Sequence, residues 1–192
     1  MSAFLSAFQW SVTGRNLASP VAEGVDMKGT LTEKQMRFEV AGFVLGAAIP
    51  DRYTADGLDV SPALHWTGVP EIAAELAIVV EDPDAPRDTP FVHWLAYKIP
   101  TDVDGLKEAV LPTARVDSPA GMMQGRNDFG NLGYGGPAPP RGHGVHHYHF
   151  RLYALDTKLS IGAGCRADEL QRAMRGHVLT EADYVGTYER AR

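Results

Sequence analysis

The stretch Leu76-Ala77-Ile78-Val79-Val80-Glu81-Asp82-Pro83 decides how this chain folds. Five consecutive apolar residues that end at Asp-Pro are typical of a short strand buried on both faces, because helices are usually longer. A second strand is predicted from Phe91 to Ile99, after a loop rich in proline and aspartate. The two segments predict an antiparallel hairpin. Strict alternation along the second strand would place on one face Phe91, His93, Leu95, Tyr97 and Ile99.

Other segments of the chain predict more strands than helices. Strand-like alternation is found at Arg37–Val40 and again at residues 146–156, and the tail from Leu179 to Tyr188 favours a strand. The inward face of the segment 146–156 would carry His146, Tyr148, Phe150, Leu152 and Ala154. One helix is predicted by apolar residues at helical spacing after two acids, in the order Asp168, Glu169, Leu170, Ala173, Met174 and His177.

Composition restricts the class of protein. The chain has 192 residues, which fits one domain, and 18 basic against 24 acidic residues give a formal charge of −6. No stretch of the sequence gathers the basic residues into a patch, which argues against a nucleic-acid groove, because such binding depends on neutralising phosphates. A single cysteine, Cys165, cannot form an intrachain disulfide, and no uncharged run approaches the ~20 residues that span a bilayer. We therefore expect a cytoplasmic protein without a membrane span.

Several residues that could carry chemistry converge at one sheet edge. If the hairpin is antiparallel, Asp82 lies at the same edge as Phe91 and His93; a neighbouring strand from His146 would bring its first residues and the glycine-proline loop of residues 116–144 there. An acid, two imidazoles, a tyrosine hydroxyl and free glycine N–H groups suit a small anion such as phosphate.

Two other kinds of site are weaker. A metal site is disfavoured because His147 and His149 face away from His146, and no carboxylate has an obvious place beside them, so they are expected to be solvated or capping imidazoles. Cys165 lies in a glycine-flanked turn with no histidine near it in sequence and is not expected to be a nucleophile. No metal and no cofactor is therefore predicted.

Several spaced motifs resemble the phosphatidylethanolamine-binding protein family, in its bacterial and archaeal Raf kinase inhibitor-like branch. They are, in order, Arg52–Gly57, Ser61–Leu64, Asp82-Pro83-Asp84-Ala85-Pro86, Phe91–Leu95, Asn127–Gly130, Gly136–Tyr148 and Gly176–Leu179. The resemblance implies a mainly β fold, in which a smaller sheet and a few peripheral helices flank a large central antiparallel sheet. It implies a domain over residues 38–192, preceded by an N-terminal extension over residues 1–37.

The resemblance also implies an anion pocket at one edge of the sheet. Carried over by position, the ligand-binding residues are Asp82, Phe91, His93, Gly136, His146 and Tyr148, and the rim residues are Pro83, Asp84 and Pro86. His147 stands where the family usually has arginine. No residue is assigned as catalytic.

Two classes of function follow. The first is a binding protein for phosphate or a phospholipid head group that regulates or inhibits kinases or proteases. The alternative is a hydrolase for small phosphoesters, in which Asp82 orients His93 or His146 as a general base. The apolar residues between Phe4 and Trp10 have no partner in the predicted core, so we expect residues 1–37 to lie at a homodimer interface.

Overall fold

The structure, a computed structural model, describes residues 35–191. Most of the predicted N-terminal extension, with its proposed dimer contacts, lies outside the described residues. The strands are β1 (Arg37–Val40), β2 (Leu64–Thr67), β3 (Glu75–Asp82), β4 (Phe91–Ile99), β5 (Gly105–Leu106), β6 (Met123–Gln124), β7 (His146–Leu155) and β8 (Val178–Tyr188). The helical elements are α1 (Ala167–Met174) and a 3-10 turn (Asp51–Tyr53).

The strands form two antiparallel sheets, which confirms the predicted fold class. The smaller sheet has the order β1-β2-β5, and the larger has the order β6-β4-β3-β7-β8. The predicted strands at residues 37–40, 76–80, 91–99 and 146–156 are confirmed, as are the C-terminal strand and the helix, although His177 lies beyond the helix end. Among residues 35–191, no helix is long and apolar enough to cross a membrane.

The large sheet is buried on both faces, which explains the apolar run that opens β3. One face packs on the small sheet through Phe38, Trp66 and Phe150, and the other packs on α1 through Leu170 and Met174. All eight residues of β3 are buried. A central strand between two apolar layers has no solvent face, so its sequence has no need to alternate.

The predicted face assignment in β4 is wrong because the strand contains two β-bulges. His93 is an extra residue between the pairs Val80–Trp94 and Glu81–Val92, and Lys98 is extra near the other end, with a positive φ of 55°. Each extra residue reverses the alternation that follows it. As a result Leu95 and Tyr97 face the α1 layer, whereas Ile99 faces the small sheet with Trp94 and Ala96.

Candidate functional site

The candidate site lies where β3 ends and where β4 and β7 begin. Asp82 is paired with Phe91 across β3 and β4, and Glu81 is paired with His149 across β3 and β7. These pairings bring four side chains together that are at most 3% exposed, namely Asp82, His93, His146 and Tyr148. Four polar groups buried at one sheet edge are far from the usual composition of an apolar core.

A chain of hydrogen bonds links Asp82 through His146 to His143. The Nδ1–H of His146 donates to Asp82 Oδ2 at 2.7 Å, and His146 Nε2 lies 2.7 Å from His143 Nδ1. The other oxygen, Asp82 Oδ1, accepts the N–H of Asp84 at 2.8 Å, in the turn that Pro83 fixes. Both carboxylate oxygens are therefore satisfied within the protein.

His143 was not assigned to the site from the sequence. It sits in an exposed turn between Gly142 and Gly144, both of which have a positive φ, at 70° and 96°. Glycine makes that conformation accessible without strain. His143 thus covers the ring nitrogen of His146 that is not bonded to Asp82.

The second imidazole, His93, is held by the loop rather than by Asp82. As the bulged residue of β4, it points from the sheet edge towards Gly135, and its Nδ1–H donates to the Gly135 carbonyl oxygen at 2.7 Å. Burial lowers the pKa of His93, although that hydrogen bond and the Asp82 charge oppose the shift. His93 is therefore neutral near pH 7, with the lone pair on Nε2.

Aromatic rings form one wall of the site. The Phe91 ring packs 4.7 Å from Phe129 and 5.0 Å from His93, and His93 packs edge-on against Tyr148 at 5.2 Å, all measured between ring centroids. Phe129 is also missing from the predicted site residues, although it belongs to the Asn127–Gly130 motif. It is positioned because Asp128 pairs with the Val92 backbone through two hydrogen bonds of 2.9 and 2.8 Å.

The Tyr148 hydroxyl is the least satisfied polar group at the site. It is fully buried and has no hydrogen-bond partner of normal geometry among the described residues. Burial, together with the neighbouring Asp82 carboxylate, raises the pKa of Tyr148, so the hydroxyl keeps its proton. A buried donor without an acceptor costs free energy, and this one is ready to donate to a ligand oxygen.

The expectation of free glycine N–H groups is wrong. The Gly136 N–H donates to Asp59 Oδ1 at 2.6 Å, and the Gly135 N–H donates to the His93 carbonyl at 2.9 Å. A Cβ at Gly136 would come within 2.4 Å of the Tyr53 carbonyl oxygen. Gly136 is thus needed for a close backbone approach that forms the wall of the site, and its N–H is not available to an anion.

The predicted rim is ordered by two hydrogen bonds between Asp84 and His147. Asp84 Oδ2 accepts hydrogen bonds from both the backbone N–H and the Nδ1–H of His147, at 2.8 and 2.7 Å. Partial burial opposes the shift, but these bonds lower the pKa of Asp84 overall. His149 Nδ1 likewise lies 2.8 Å from a carboxylate oxygen, Asp183 Oδ2. The expectation that no carboxylate accompanies His147 and His149 is therefore wrong, since the turn after β3 supplies one to His147 and β8 supplies one to His149.

The described residues offer little for metal or thiol chemistry. Across residues 35–191, no group of three His, Cys, Asp or Glu side chains is placed to hold a metal ion. Cys165 is buried in the α1 layer, away from the site, and burial raises the pKa of its thiol. The chemistry available at the site is hydrogen-bond donation by the Tyr148 hydroxyl, beside a carboxylate that is bonded to His146 and a His93 imidazole that presents the Nε2 lone pair.

Comparison with known proteins gives consistent matches over most of the chain. The family model for the phosphatidylethanolamine-binding protein matches residues 40–189. A UPF0098 protein of Pyrococcus abyssi is 51% identical over 142 residues, which are 74% of this chain and 79% of the relative.

Solved structures agree with these sequence matches. A phosphatidylethanolamine-binding protein homologue from Chlamydia trachomatis has a TM-score of 0.73 at 35% identity, covering 82% of this chain and 99% of that one. YbcL from E. coli, described as a new member of the mammalian family, has a TM-score of 0.74 at 31% identity, covering 80% and 98%.

Proposed function

This chain belongs to the phosphatidylethanolamine-binding protein family, among its bacterial and archaeal homologues, and from that premise we propose that it binds a small phosphate-bearing anion at the edge of β3, β4 and β7. The ligand is inorganic phosphate or a phosphorylated head group. The observation that carries the proposal is the buried Tyr148 hydroxyl, which lies beside Asp82 but makes no hydrogen bond of normal geometry among the described residues.

The neighbours of Tyr148 supply the remaining contacts for such a ligand. The Asp82 carboxylate accepts from His146 Nδ1–H and fixes the orientation of the imidazole, so that Nε2 faces a bound anion once His143 has moved aside. The rings of Phe91 and Phe129 exclude water from one side of the bound group. In a site of low dielectric, a few such donors bind a phosphate oxygen more strongly than they would in water.

Removing only the Tyr148 hydroxyl tests the proposal. Tyr148→Phe should leave the free energy of unfolding of the unliganded protein unchanged or raised, because the lost hydroxyl is buried and makes no hydrogen bond of normal geometry among the described residues, yet it should weaken ligand binding about ten-fold. The probes are inorganic phosphate and glycerophosphoethanolamine, titrated by calorimetry. Tighter binding of the second identifies a head group, and equal binding identifies phosphate alone as the recognised unit.

Tyr134→Phe is the matched control. Its hydroxyl is also buried, but it donates to the Tyr53 carbonyl oxygen at 2.8 Å. Its loss should destabilise the fold by ~1–3 kcal/mol and leave ligand affinity unchanged. Equal affinity of wild type and Tyr148→Phe for both probes would overturn the assignment of this site.

The proposal includes a regulatory role towards kinases or proteases, which the family resemblance supports. If ligand occupancy controls the contact, inhibition of a susceptible enzyme from a panel of kinases and proteases should be lost in Tyr148→Phe. Inhibition that persists unchanged in this variant would assign the role to surface contacts alone.

We also propose that residues 1–37 contribute to a homodimer. Light scattering of the full chain and of a chain truncated by those residues tests this proposal, and a monomeric full chain would refute it.

A phosphoester hydrolase is the second candidate, and the Asp82–His146 hydrogen bond favours it, since a carboxylate that orients an imidazole is the arrangement of a general base. Of the two histidines considered for this role, His146 is the better supported, because His93 is bonded to Gly135 instead. Turnover of a nitrophenyl phosphodiester that disappears in Asp82→Asn would favour the hydrolase over the binding protein. We expect no turnover.

A further inference from the structure

A groove of about 570 Å³ lies outside the site described above, between the start of β4, the loop at residues 126–130 and α1. Five arginines line it, namely Arg87, Arg126, Arg166, Arg172 and Arg175. We call it the arginine groove. Its lining contains two carboxylates, Asp128 and Asp168, so five positive charges stand against two negative ones on a chain whose net charge is −6.

The two carboxylates are already paired with arginines of the groove. Asp128 binds Arg87 at 2.9 Å, and Asp168 binds Arg172 at 2.9 Å, one turn along α1. These side chains are between 30% and 62% exposed, so the pairs are solvated and weak. A ligand with several carboxylates can therefore exchange with them at little cost, and guanidinium forks match carboxylate geometry.

The shape of the groove indicates what kind of anion it fits. One wall carries Asp168, Gln171 and Arg172 of α1, with Arg175 directly after the helix, and the eight residues of this helix extend over ~12 Å. An extended peptide advances ~3.3 Å per residue, so about four residues lie alongside this wall. A single phosphate would contact only a fraction of these cations.

The floor of the groove argues against nucleic acid. Its apolar lining is made of small side chains such as Pro90, Val92 and Ala167, and the lining contains no aromatic ring. Proteins that bind single-stranded nucleic acid combine cations with aromatic side chains on which bases stack. The cations are present here without the stacking surface.

We propose that the arginine groove binds an extended acidic segment of a partner protein, with several Asp or Glu residues in succession. This goes beyond the anion site and does not depend on it. The two sites are neighbours, since the Arg87 guanidinium lies 5.6 Å from the centre of the Phe91 ring, whose other contacts are His93 and Phe129.

Fluorescence anisotropy of a labelled hexaglutamate peptide on the full chain tests the proposal. Binding should weaken as salt rises to ~0.3 M, where charges are strongly screened. The double variant Arg126→Gln/Arg172→Gln should weaken binding about ten-fold, because it removes one bidentate donor from each wall. Both arginines are exposed, so the variant should fold normally.

The matched control, Arg37→Gln/Arg115→Gln, removes the same charge from exposed arginines outside the groove. It should change the affinity less than about two-fold. Equal weakening in both double variants would overturn the proposal, as would no binding at about 1 mM protein. Oligothymidylate and phosphatidylglycerol vesicles are tested in the same way. If either binds as tightly as hexaglutamate, and binds more weakly to Arg126→Gln/Arg172→Gln, the groove has a different occupant and the proposal is refuted.

Tyr148→Phe separates this proposal from the anion site. Hexaglutamate should bind Tyr148→Phe as it binds wild type, whatever happens to phosphate binding in that variant. Loss of peptide binding in Tyr148→Phe would place the peptide in the anion site and overturn the assignment of the groove.

Discussion

Glu81 should make the protein less stable as pH rises, and replacing it with glutamine should remove that dependence. Glu81 is 2% exposed on the face of β3 opposite Asp82, and its Oε1 accepts a hydrogen bond from Arg151 at 2.6 Å. Its Oε2 is buried without a hydrogen-bond partner among the described residues. Burial raises the pKa of Glu81 from 4.5 to about 7, despite the opposing charges of Arg151 and His149.

The direction of the effect follows from proton linkage. The unfolded chain releases the Glu81 proton near pH 4.5, whereas the folded chain releases it only near pH 7. The free energy of unfolding therefore falls as pH rises from 4.5 to about 7 and is constant above that. At ~1.4 kcal/mol per pH unit, the wild type loses roughly 3 kcal/mol by pH 8 and under ~1 kcal/mol at pH 5. Glu81→Gln, which keeps the acceptor for Arg151 but carries no charge, avoids that loss.

Urea denaturation at about pH 5 and pH 8 measures the effect. Glu81→Gln should be more stable than wild type at pH 8 by ~2 kcal/mol, once ~1 kcal/mol is allowed for a buried amide N–H without an acceptor. The advantage should vanish or reverse at pH 5. Glu71→Gln, at an exposed carboxylate, is the control and should match wild type at both values. If Glu81→Gln is the less stable protein at pH 8, the ion pair with Arg151 stabilises the fold and the reasoning fails.

Three further predictions concern the anion site. Because burial lowers the pKa of His93, the free protein should lose stability as pH falls below ~6.5. Dimethyl phosphate should bind more tightly as pH falls across that range. In His93→Asn, the affinity measured by calorimetry should depend less on pH. His143→Ala opens His146 Nε2 and should tighten dimethyl phosphate binding about three-fold, whereas weaker binding would make His143 itself a contact. Gly136→Ala should lower the free energy of unfolding by ~2 kcal/mol or more, because backbone atoms surround the added methyl, while Gly162→Ala, with open space around it, should not.

The architecture could be predicted from local patterns because the central strands carry strong ones. The apolar run before Asp82 and the alternation from His146 both reflect burial, and burial is what residue type encodes most directly. Convergence at one edge then follows from antiparallel pairing alone. The bulges at His93 and Lys98 could not be predicted, since a one-residue insertion leaves no mark in hydrophobicity and shows itself only in the pairing with β3.

The hydrogen-bond partners that distant segments supply could not be predicted from the sequence either. Asp59 accepts a hydrogen bond from the Gly136 N–H. Asp84 and Asp183 pair with the imidazoles of His147 and His149, respectively. His143 contacts His146 from a turn flanked by two glycines. Each of these contacts depends on side-chain direction in a loop or on a neighbouring strand, which residue spacing does not determine. Phe129 was within reach of prediction, because its motif had already been singled out.

The position of β3 between β4 and β7 also has a kinetic consequence. The β3–β4 pairing is local, but β7 joins from far along the chain, since Asp82 and His146 are 64 residues apart. Closing so long a loop costs entropy before any contact is gained, so this pairing is a slow step and the hairpin can form ahead of it. The anion site does not exist until that step is complete. A ligand therefore acts on the finished protein, prolonging the lifetime of the native state instead of hastening its formation.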